Sequence, residues 1–469
     1  MLSTLDIDVA IIGAGTAGLT AFSELRRLGV NAVLIDHGPL GTTCARVGCM
    51  PSKAALHAGH QWASLRKALR KAPVPAGACT VDELWRQART VRDMLASNTA
   101  QQTRDIAGER LIMGTARFTG PETLDVDGRQ IRAKAFIVAT GSRPVVQPGL
   151  AAPNDRLITT DDLFELDHLP GSIGILGMGA IGLEMGLALS RLGVHVIAGD
   201  MKPLPAAIVD PQIGARAVER FDRELTMWLG APVEARLRED GVELQSGQTT
   251  ERVDMVLAAL GRRPNVEALG LAHAGVPLDG RDQPIIDPQT LRAGASRVFL
   301  AGDASALRPL MHEAVDEGVI AARAAVQSLS DTCATPAPRR APLAIVFSDP
   351  DIAAIGVAYD KLDLDATVIG TAQGMSNGRS RVMGAEANLV RLYVDRASSR
   401  LLGAALIATR GEHLAHLLAW AVQREDTIDD LLAMPYYHPS IEEMVQTALK
   451  DAARQMKKSA SPIPSQRNH

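Results

Sequence analysis

Cysteine is scarce in this chain. Four cysteines in 469 residues are too few for the disulfide framework of a secreted protein. Aromatic residues make up 3%, so any flat cofactor ring is not held mainly by stacking. No run approaches the ~18 consecutive apolar residues of a membrane span. There is no excess of positive charge: the formal net charge is −4, and nothing electrostatic points to nucleic acid. A basic leader is missing too, because Asp6 and Asp8 run straight into Val9-Ala10-Ile11-Ile12, which reads as a strand rather than a signal peptide. What remains is a globular chain of 46% apolar residues, expected in the reducing cytoplasm and long enough for about three domains.

Glycine, by contrast, is used in patterns. A buried strand ending at Ile12 runs into Gly13-Ala14-Gly15-Thr16-Ala17-Gly18, a complete G-x-G-x-x-G. A helical pattern follows to about Leu28, and a second strand closes on Asp36. Each part has a physical use. Gly13 makes the turn, Gly15 lets a pyrophosphate approach, and Gly18 lets helix pack on strand. The helix N-terminus faces the phosphates, and the acid accepts ribose hydroxyls. The same unit recurs about 160 residues on, with Gly177, Gly179, Gly182 and a terminal acid at Asp200. Two such units imply two nucleotide sites. An acid at Asp200 favours an unphosphorylated ribose, hence NAD over NADP, although Lys202 lies close by.

Between the two units, Cys44 and Cys49 stand five residues apart at the start of a helical pattern. In an ideal helix such residues have Cα atoms roughly 8–9 Å apart, whereas a disulfide needs them within about 7 Å. The pair can close only where the first turn is distorted, which Gly48 permits. A strained, reducible disulfide suggests redox chemistry. Half a zinc site is the rival reading, but no further Cys or Cys/His cluster exists to complete four ligands, and no metal site is expected. Cys79 and Cys333 read as idle loop thiols.

The rest of the chain fits an α/β plan. Helical patterns extend from the cysteines to about residue 107, broken at Pro73 and Pro75. The first carries Leu65, Lys67, Leu69 and Arg70 as a surface helix; the second places Leu84, Ala88, Val91 and Leu95 at helical spacing. Short strands alternate over 111–138 and lead to Thr140-Gly141-Ser142-Arg143-Pro144. Gly261-Arg262-Arg263-Pro264-Asn265 closes the second unit, and a strand ends at Ala301-Gly302-Asp303. Residues 332–342 read as a linker. Beyond it are strands near 343–347, 389–394 and 403–408, helices near 412–423, 428–432 and 441–454, and a polar tail.

Taken together, these motifs resemble the FAD-dependent pyridine nucleotide–disulfide oxidoreductases, the group of dihydrolipoamide dehydrogenase, glutathione reductase and mercuric reductase. The anchors are Gly13–Gly18, Gly41–Lys53, Ala139–Pro144, Gly177–Glu184, Gly261–Asn265, Ala301–Ala304, Phe347–Pro350 and His438-Pro439-Ser440-Ile441-Glu442-Glu443. The resemblance implies two Rossmann-like dinucleotide-binding domains, for FAD and NAD, plus a C-terminal α+β dimerisation domain. The FAD domain would take 1–148 (with a helical insertion at 54–107) and a second part at 269–340. The NAD(P) domain would take 149–268, the dimerisation domain 343–455, and a disordered tail 456–469.

The resemblance also implies roles. Cys44 would exchange with the substrate, and Cys49 would lie against the flavin. Lys53 would pair with Glu184 at the flavin. Asp36, Ala116, Thr140, Gly141, Ser142, Gly302 and Asp303 would join Gly13, Gly15 and Gly18 in holding FAD. Gly177, Gly179, Gly182, Asp200 and Gly261 would line the NAD(H) site. His438, from the other subunit of a homodimer, would be the acid–base, and Glu443 would orient its ring. The logic is sound: a thiol attacks as thiolate, and a carboxylate behind an imidazole fixes its tautomer. The leading expectation is a dihydrolipoyl dehydrogenase acting on a small dithiol or on the lipoyl domain of a partner protein. The alternatives are a reductase of another small disulfide, similar to glutathione reductase, and a catalytically silent flavin-binding protein.

Some residues have plainer readings. Ser440-x-x-Glu443 is also a capping box for the following helix, and Glu184 could be a solvated charge. His312, His413 and His416 read as surface or core residues. Three departures from the family pattern bear on substrate: Thr42 replaces a glycine, Arg46 replaces an asparagine and is expected to lower a thiol pKa, and Tyr436-Tyr437 precede His438. The chain also ends without the cysteine pair usual in mercuric reductase.

Overall fold

The computed structural model describes residues 4–69, 73, 79–146, 156–330 and 335–460. Arg70, Pro75, Thr332, Cys333, Ala334, the expected domain boundary at 148/149 and the tail beyond residue 460 lie outside these. Among the described residues no helix is long and apolar enough to cross a membrane.

The first Gly-rich unit builds a sheet in the strand order Leu111–Met113, Ala32–Asp36, Leu5–Ile12, Arg129–Val138. Val298–Leu300 joins the far side of Arg129–Val138 in parallel register, Leu300 opposite Val138. Ile12 pairs with both Ile35 and Val138, so three strands end level where the first Gly-rich turn begins. Strands Thr123–Val126 and Ala116–Gly120 extend the same sheet as an antiparallel flap. Strand interiors are almost wholly apolar, as expected of a sheet covered on both faces.

A second, all-parallel sheet runs Thr226–Leu229, His195–Asp200, Ser172–Leu176, Met255–Ala258, Leu157–Ile158. It carries an antiparallel three-stranded flap, Glu234–Arg238, Gly241–Ser246 and Thr249–Val253. The sequence reading missed this flap because its strands are polar and half-exposed. The C-terminal sheet is antiparallel throughout, in the order Leu343–Val346, Asp351–Gly356, Leu401–Ala408, Leu389–Asp395, Thr367–Gln373. Two of its five strands, Asp351–Gly356 and Thr367–Gln373, were also not anticipated. Its last helix, Glu443–Ala460, passes the expected start of the tail at 456.

Two helices, Cys49–Ala68 and Val81–Ala107, follow the cysteine stretch. Of the second helix's expected inner residues, Leu84 and Ala88 are buried, but Val91 is 42% exposed and Arg92 takes the inward position beside it. Cys79 sits in the loop before this helix, and its thiol faces the Thr80 carbonyl. The 335–342 segment is irregular, yet Arg339 reaches two buried carboxylates, 2.6 Å from Glu317 and 3.4 Å from Glu313. His312, His413 and His416 are all on the surface.

Candidate active site

The cysteine stretch breaks where the sequence allows it to. Thr43–Arg46 forms a single helical turn, Val47-Gly48 interrupts it, and a new helix starts at Cys49. Gly48 has φ −118° and ψ −117°, outside the helical range. Thr42 caps the short turn, accepting the Ala45 N–H at 3.2 Å. That cap is the work of the side chain that replaces glycine here.

Cys44 and Cys49 are free cysteines whose side chains hydrogen-bond each other. The two thiols differ in acidity. The hydrogen bond from Cys44 holds the Cys49 thiol down at about 7, with further help from the Lys53 ammonium and against the cost of burial. The same hydrogen bond and burial push the Cys44 thiol upward. Cys49 also opens a helix, where the dipole favours an anion. Lys53, rather than Arg46, is the cation that acts on both thiols. Arg46 instead lays its aliphatic stem over Gly41, whose φ of +105° admits the turn.

Lys53 follows one turn along the same helix. Its ammonium lies 2.8 Å from both carboxylate oxygens of Glu184 and 4.5 Å from the centre of the Phe347 ring. Glu184 is buried on helix Ala180–Arg191 and also accepts the Phe347 backbone N–H at 3.0 Å. Gly59 makes the pairing possible: a Cβ there would lie 2.7 Å from the Ala188 carbonyl, so its absence lets the two helices touch. Glu184 is therefore a buried, doubly bound acid and not a solvated charge. Phe347's part in this site was not foreseen, because contact between residues 53 and 347 leaves no local signal.

The two Gly-rich turns are built alike. Gly13 has φ +105°, and a Cβ on it would lie 2.3 Å from the Ala139 carbonyl; Gly177 has φ +94° and the Ala259 carbonyl at 2.4 Å. Gly18 and Gly182 press on the carbonyls of Gly13 and Gly177, each at 1.9 Å from the would-be Cβ. Gly15 and Gly179 differ. The nearest atom to a Cβ on Gly15 is 4.0 Å away, and none lies within 4 Å on Gly179. Their bareness serves no internal packing; it leaves room at a helix N-terminus for a pyrophosphate.

The acids match as well. Asp36 accepts the N–H groups of Ala14 and Gly38, both at 2.6 Å. Asp200 accepts those of Met178 and Lys202 at 2.7 and 2.8 Å. Beside the first turn, Gly302 packs on Ala17, and Asp303 accepts the Ser142 hydroxyl at 2.5 Å, which in turn accepts from Arg262 at 2.8 Å. The Thr140 hydroxyl donates to the Asn265 carbonyl at 2.7 Å. Gly141 and Gly261 both have positive φ, and Ala116 is buried two residues beyond Gly114, which donates to the Asp36 carbonyl at 2.9 Å. The residues present thus fit a dinucleotide at each turn.

His438 and Glu443 belong to the C-terminal module. His438 Nδ1 is 3.0 Å from Glu443 Oε1, while Glu443 Oε2 accepts the Ser440 N–H at 2.9 Å. Partnering the histidine and bonding the Ser440 N–H are therefore simultaneous, one oxygen for each, but the Ser440 hydroxyl is buried without a partner, so only half of the expected capping box forms. Those bonds hold the Glu443 carboxyl below its ordinary range. The His438 side chain is 79% exposed and presents its other nitrogen outward. Of the two tyrosines before it, Tyr436 turns inward and donates to the Leu431 carbonyl at 3.1 Å. Only Tyr437, 84% exposed, is left to face a substrate.

Two redox-capable thiols, a half-buried Lys–Glu pair and two dinucleotide cradles define a nucleotide-linked disulfide oxidoreductase. Comparison with known proteins agrees. Residues 7–318 match the pyridine nucleotide-disulphide oxidoreductase family, and 343–449 match that family's dimerisation domain. The chain belongs to this family of FAD- and NAD(P)-dependent enzymes. It is 28% identical to a dihydrolipoyl dehydrogenase of Vibrio cholerae, covering 96% of each chain. It is 27% identical to the mitochondrial dihydrolipoyl dehydrogenase of Schizosaccharomyces pombe, covering 95% of this chain and 90% of that one. Its fold is similar to that of the HOCl-induced flavoprotein disulfide reductase RclA of Escherichia coli. The TM-score is 0.81 at 23% identity, over 94% of this chain and 99% of that one.

Proposed function

We propose that the chain is a homodimeric, NAD-dependent enzyme of the dihydrolipoyl dehydrogenase kind, working in the cytoplasm. The observation that carries this reading is the pair of unequally acidic thiols, Cys44 and Cys49, next to Lys53–Glu184. Relatives named for that activity, matching nearly the full length, support it. The domain limits 1–148 with 269–340, 149–268 and 343–455 belong to the same reading. Bound FAD supplies a two-electron relay between nicotinamide and thiols; the residues around Gly13–Gly18, Asp36 and Asp303 hold it, and those around Gly177–Gly182 and Asp200 hold NAD(H).

The chain's own residues then handle thiols and protons. One thiolate of a dihydrolipoyl group attacks Cys44 Sγ of the oxidised pair, and the bond to Cys49 breaks, leaving the Cys49 thiolate. The second substrate thiol attacks the mixed disulfide, forming the cyclic disulfide and returning Cys44. His438, contributed by the partner copy, takes the proton of the first substrate thiol, the proton of the second passes to the departing Cys44 sulfur, and Glu443 steadies the imidazolium. Electrons leaving the dithiol reappear in NADH. Lys53 holds the anionic Cys49, and Glu184 holds Lys53 in place.

A second reading rests on Tyr437, which lies next to the base and is almost fully exposed. It would narrow or polarise the mouth for a small disulfide other than lipoyl. Turnover measurements separate the two. Dihydrolipoamide oxidation with NAD⁺ well above glutathione-disulfide reduction with NADH or NADPH supports the first reading. The reverse ranking supports the second, and no thiol-linked turnover of either kind removes both.

A further inference from the structure

We infer that Asp210, Arg391 and Tyr393 form a buried latch by which the C-terminal sheet sets the affinity of the second dinucleotide site. The inference rests on the reading that Gly177–Asp200 binds NAD(H), and none of the three residues belongs to that cradle.

Asp210 is 1% exposed and caps helix Pro211–Phe221, its Oδ1 accepting the N–H groups of Gln212 and Ile213 at 2.9 and 3.2 Å. Its Oδ2 faces the other way, into the C-terminal sheet. There it accepts from Arg391 Nε and from the Tyr393 hydroxyl, both at 2.7 Å. Arg391 and Tyr393 alternate along strand Leu389–Asp395 and are 5% and 1% exposed. Burial and the neighbouring carboxylate push the Tyr393 phenol upward, so it remains a donor. Arg391 also lies over Tyr359, 5.8 Å from the ring centre. A buried carboxylate is tolerated only with such partners. The helix is anchored again where Arg216 donates to the Ala387 carbonyl at 3.2 Å. Its Ile213, Ala217 and Phe221 share one apolar cluster with Leu389, Tyr393 and Ile407.

From this fixed helix the contacts run back to the nucleotide turn. The segment 201–209 leaves Asp200 and returns to Asp210 as a strap. Leu204 in the strap rests on Gly214 of the helix, so closely that a Cβ there would lie 2.5 Å from a Leu204 methyl. Two residues on, Ala206 donates to the Met178 carbonyl at 2.6 Å, while the Met178 N–H donates to Asp200. The middle of the Gly177–Gly179 turn is therefore held by Asp200, where the strap begins, and by Ala206 within it. Releasing the helix loosens the strap and leaves the turn and the ribose acid to find their geometry only on binding, at a cost in affinity.

The test uses the purified, FAD-containing protein and reads the Kd for NAD⁺ from quenching of flavin fluorescence, with FAD content and sedimentation as controls. Arg391→Met should raise that Kd by roughly two- to thirtyfold, the usual span of coupling through packed networks. Gly214→Ala, acting from the strap side, should raise it too, and Arg391→Lys should restore most of the affinity. FAD content, dimer state and kcat at saturating NADH should stay near wild type. If Arg391→Met does not fold, Tyr393→Phe, which removes a single hydrogen bond, should still give a smaller rise. Unchanged Kd in folded variants overturns the latch alone. Loss of FAD and kcat in parallel with Kd makes the cluster merely structural and also overturns it. A wild type that binds no nicotinamide nucleotide overturns the latch together with the functional reading beneath it.

Discussion

Lys53 and Glu184, 131 positions apart in the chain, meet with the ammonium 2.8 Å from both carboxylate oxygens. Lys53 comes from the helix that begins at Cys49, and Glu184 from the helix that begins at the second Gly-rich turn. The thiol pair and the second Gly-rich unit are thus joined by one ion pair, with the Lys53 side chain one-third exposed and the Glu184 side chain nearly buried. The pair orients a cation toward the thiols rather than adding much stability, since desolvation offsets most of its attraction.

That geometry predicts opposite shifts from its two halves. Lys53 lowers the Cys49 thiol and Glu184 raises it. Lys53→Met should therefore move the midpoint of Cys49 ionisation up from about 7, by roughly one unit or more, while Glu184→Gln should move it down. Titration of thiolate absorbance in the reduced enzyme reads both. Below the midpoint Cys49 is a neutral thiol, so the thiolate signal is present above it and is lost as pH falls.

His438→Gln should lower kcat by about 10²–10⁴-fold and leave the reduced thiol pair intact. Glu443→Gln should lower kcat less. Its amide oxygen can still accept the Ser440 N–H, so thermal unfolding should barely move while turnover falls. A matched drop in unfolding temperature and activity would make Glu443 a helix cap first.

A base supplied by the partner copy makes a further prediction. Inactive Cys44→Ser and His438→Gln chains, co-expressed, should form mixed dimers with one intact site. About a quarter of wild-type activity should return, by the statistics of random pairing in a two-fold dimer. No recovery would place the base and the thiol in the same chain.

The third pair of glycines gives a sharper test than the other two. Gly13→Ala places a Cβ 2.3 Å from a carbonyl at φ +105°, and the backbone alone costs about 1–3 kcal/mol, so the fold should suffer. Gly179→Val has open space around it. It should fold with full FAD and show a raised KM for NADH. Gly15→Val should fold with depleted FAD.

Asp200→Arg should shift the ratio of kcat/KM for NADH over NADPH toward NADPH by roughly one to two orders of magnitude, because a cation replaces a carboxylate opposite the ribose. An unchanged ratio would mean that Asp200 serves only Met178 and Lys202.

Much of this was legible because the chemistry is local. Gly13, Gly15, Gly18 and Asp36 announce a strand–turn–helix–strand unit by spacing alone, and the second unit repeats it. Cys44, Gly48 and Cys49 show in six residues that a helix must break. Contacts between distant segments were not legible. Phe347 against Lys53, and Arg391 and Tyr393 against Asp210, look in sequence like ordinary strand residues. Arg46 and Tyr436 were overread: a charge beside the thiols in sequence, and a ring beside the base, need not face the site in space. The flap over 234–253 escaped because each strand gives only one or two residues to its inner face, Ala235 and Leu237, Val242 and Leu244, and Val253, among polar neighbours.

The most direct measurement is anaerobic reduction of the purified enzyme by one equivalent of NADH, followed by its long-wavelength absorbance. A thiolate at Cys49 against the flavin predicts a broad new band above the flavin's own absorption, rising with pH around 7, present without any reductant in Cys44→Ser and lost in Cys49→Ser. No band in wild type, or a band that survives Cys49→Ser, would contradict the account.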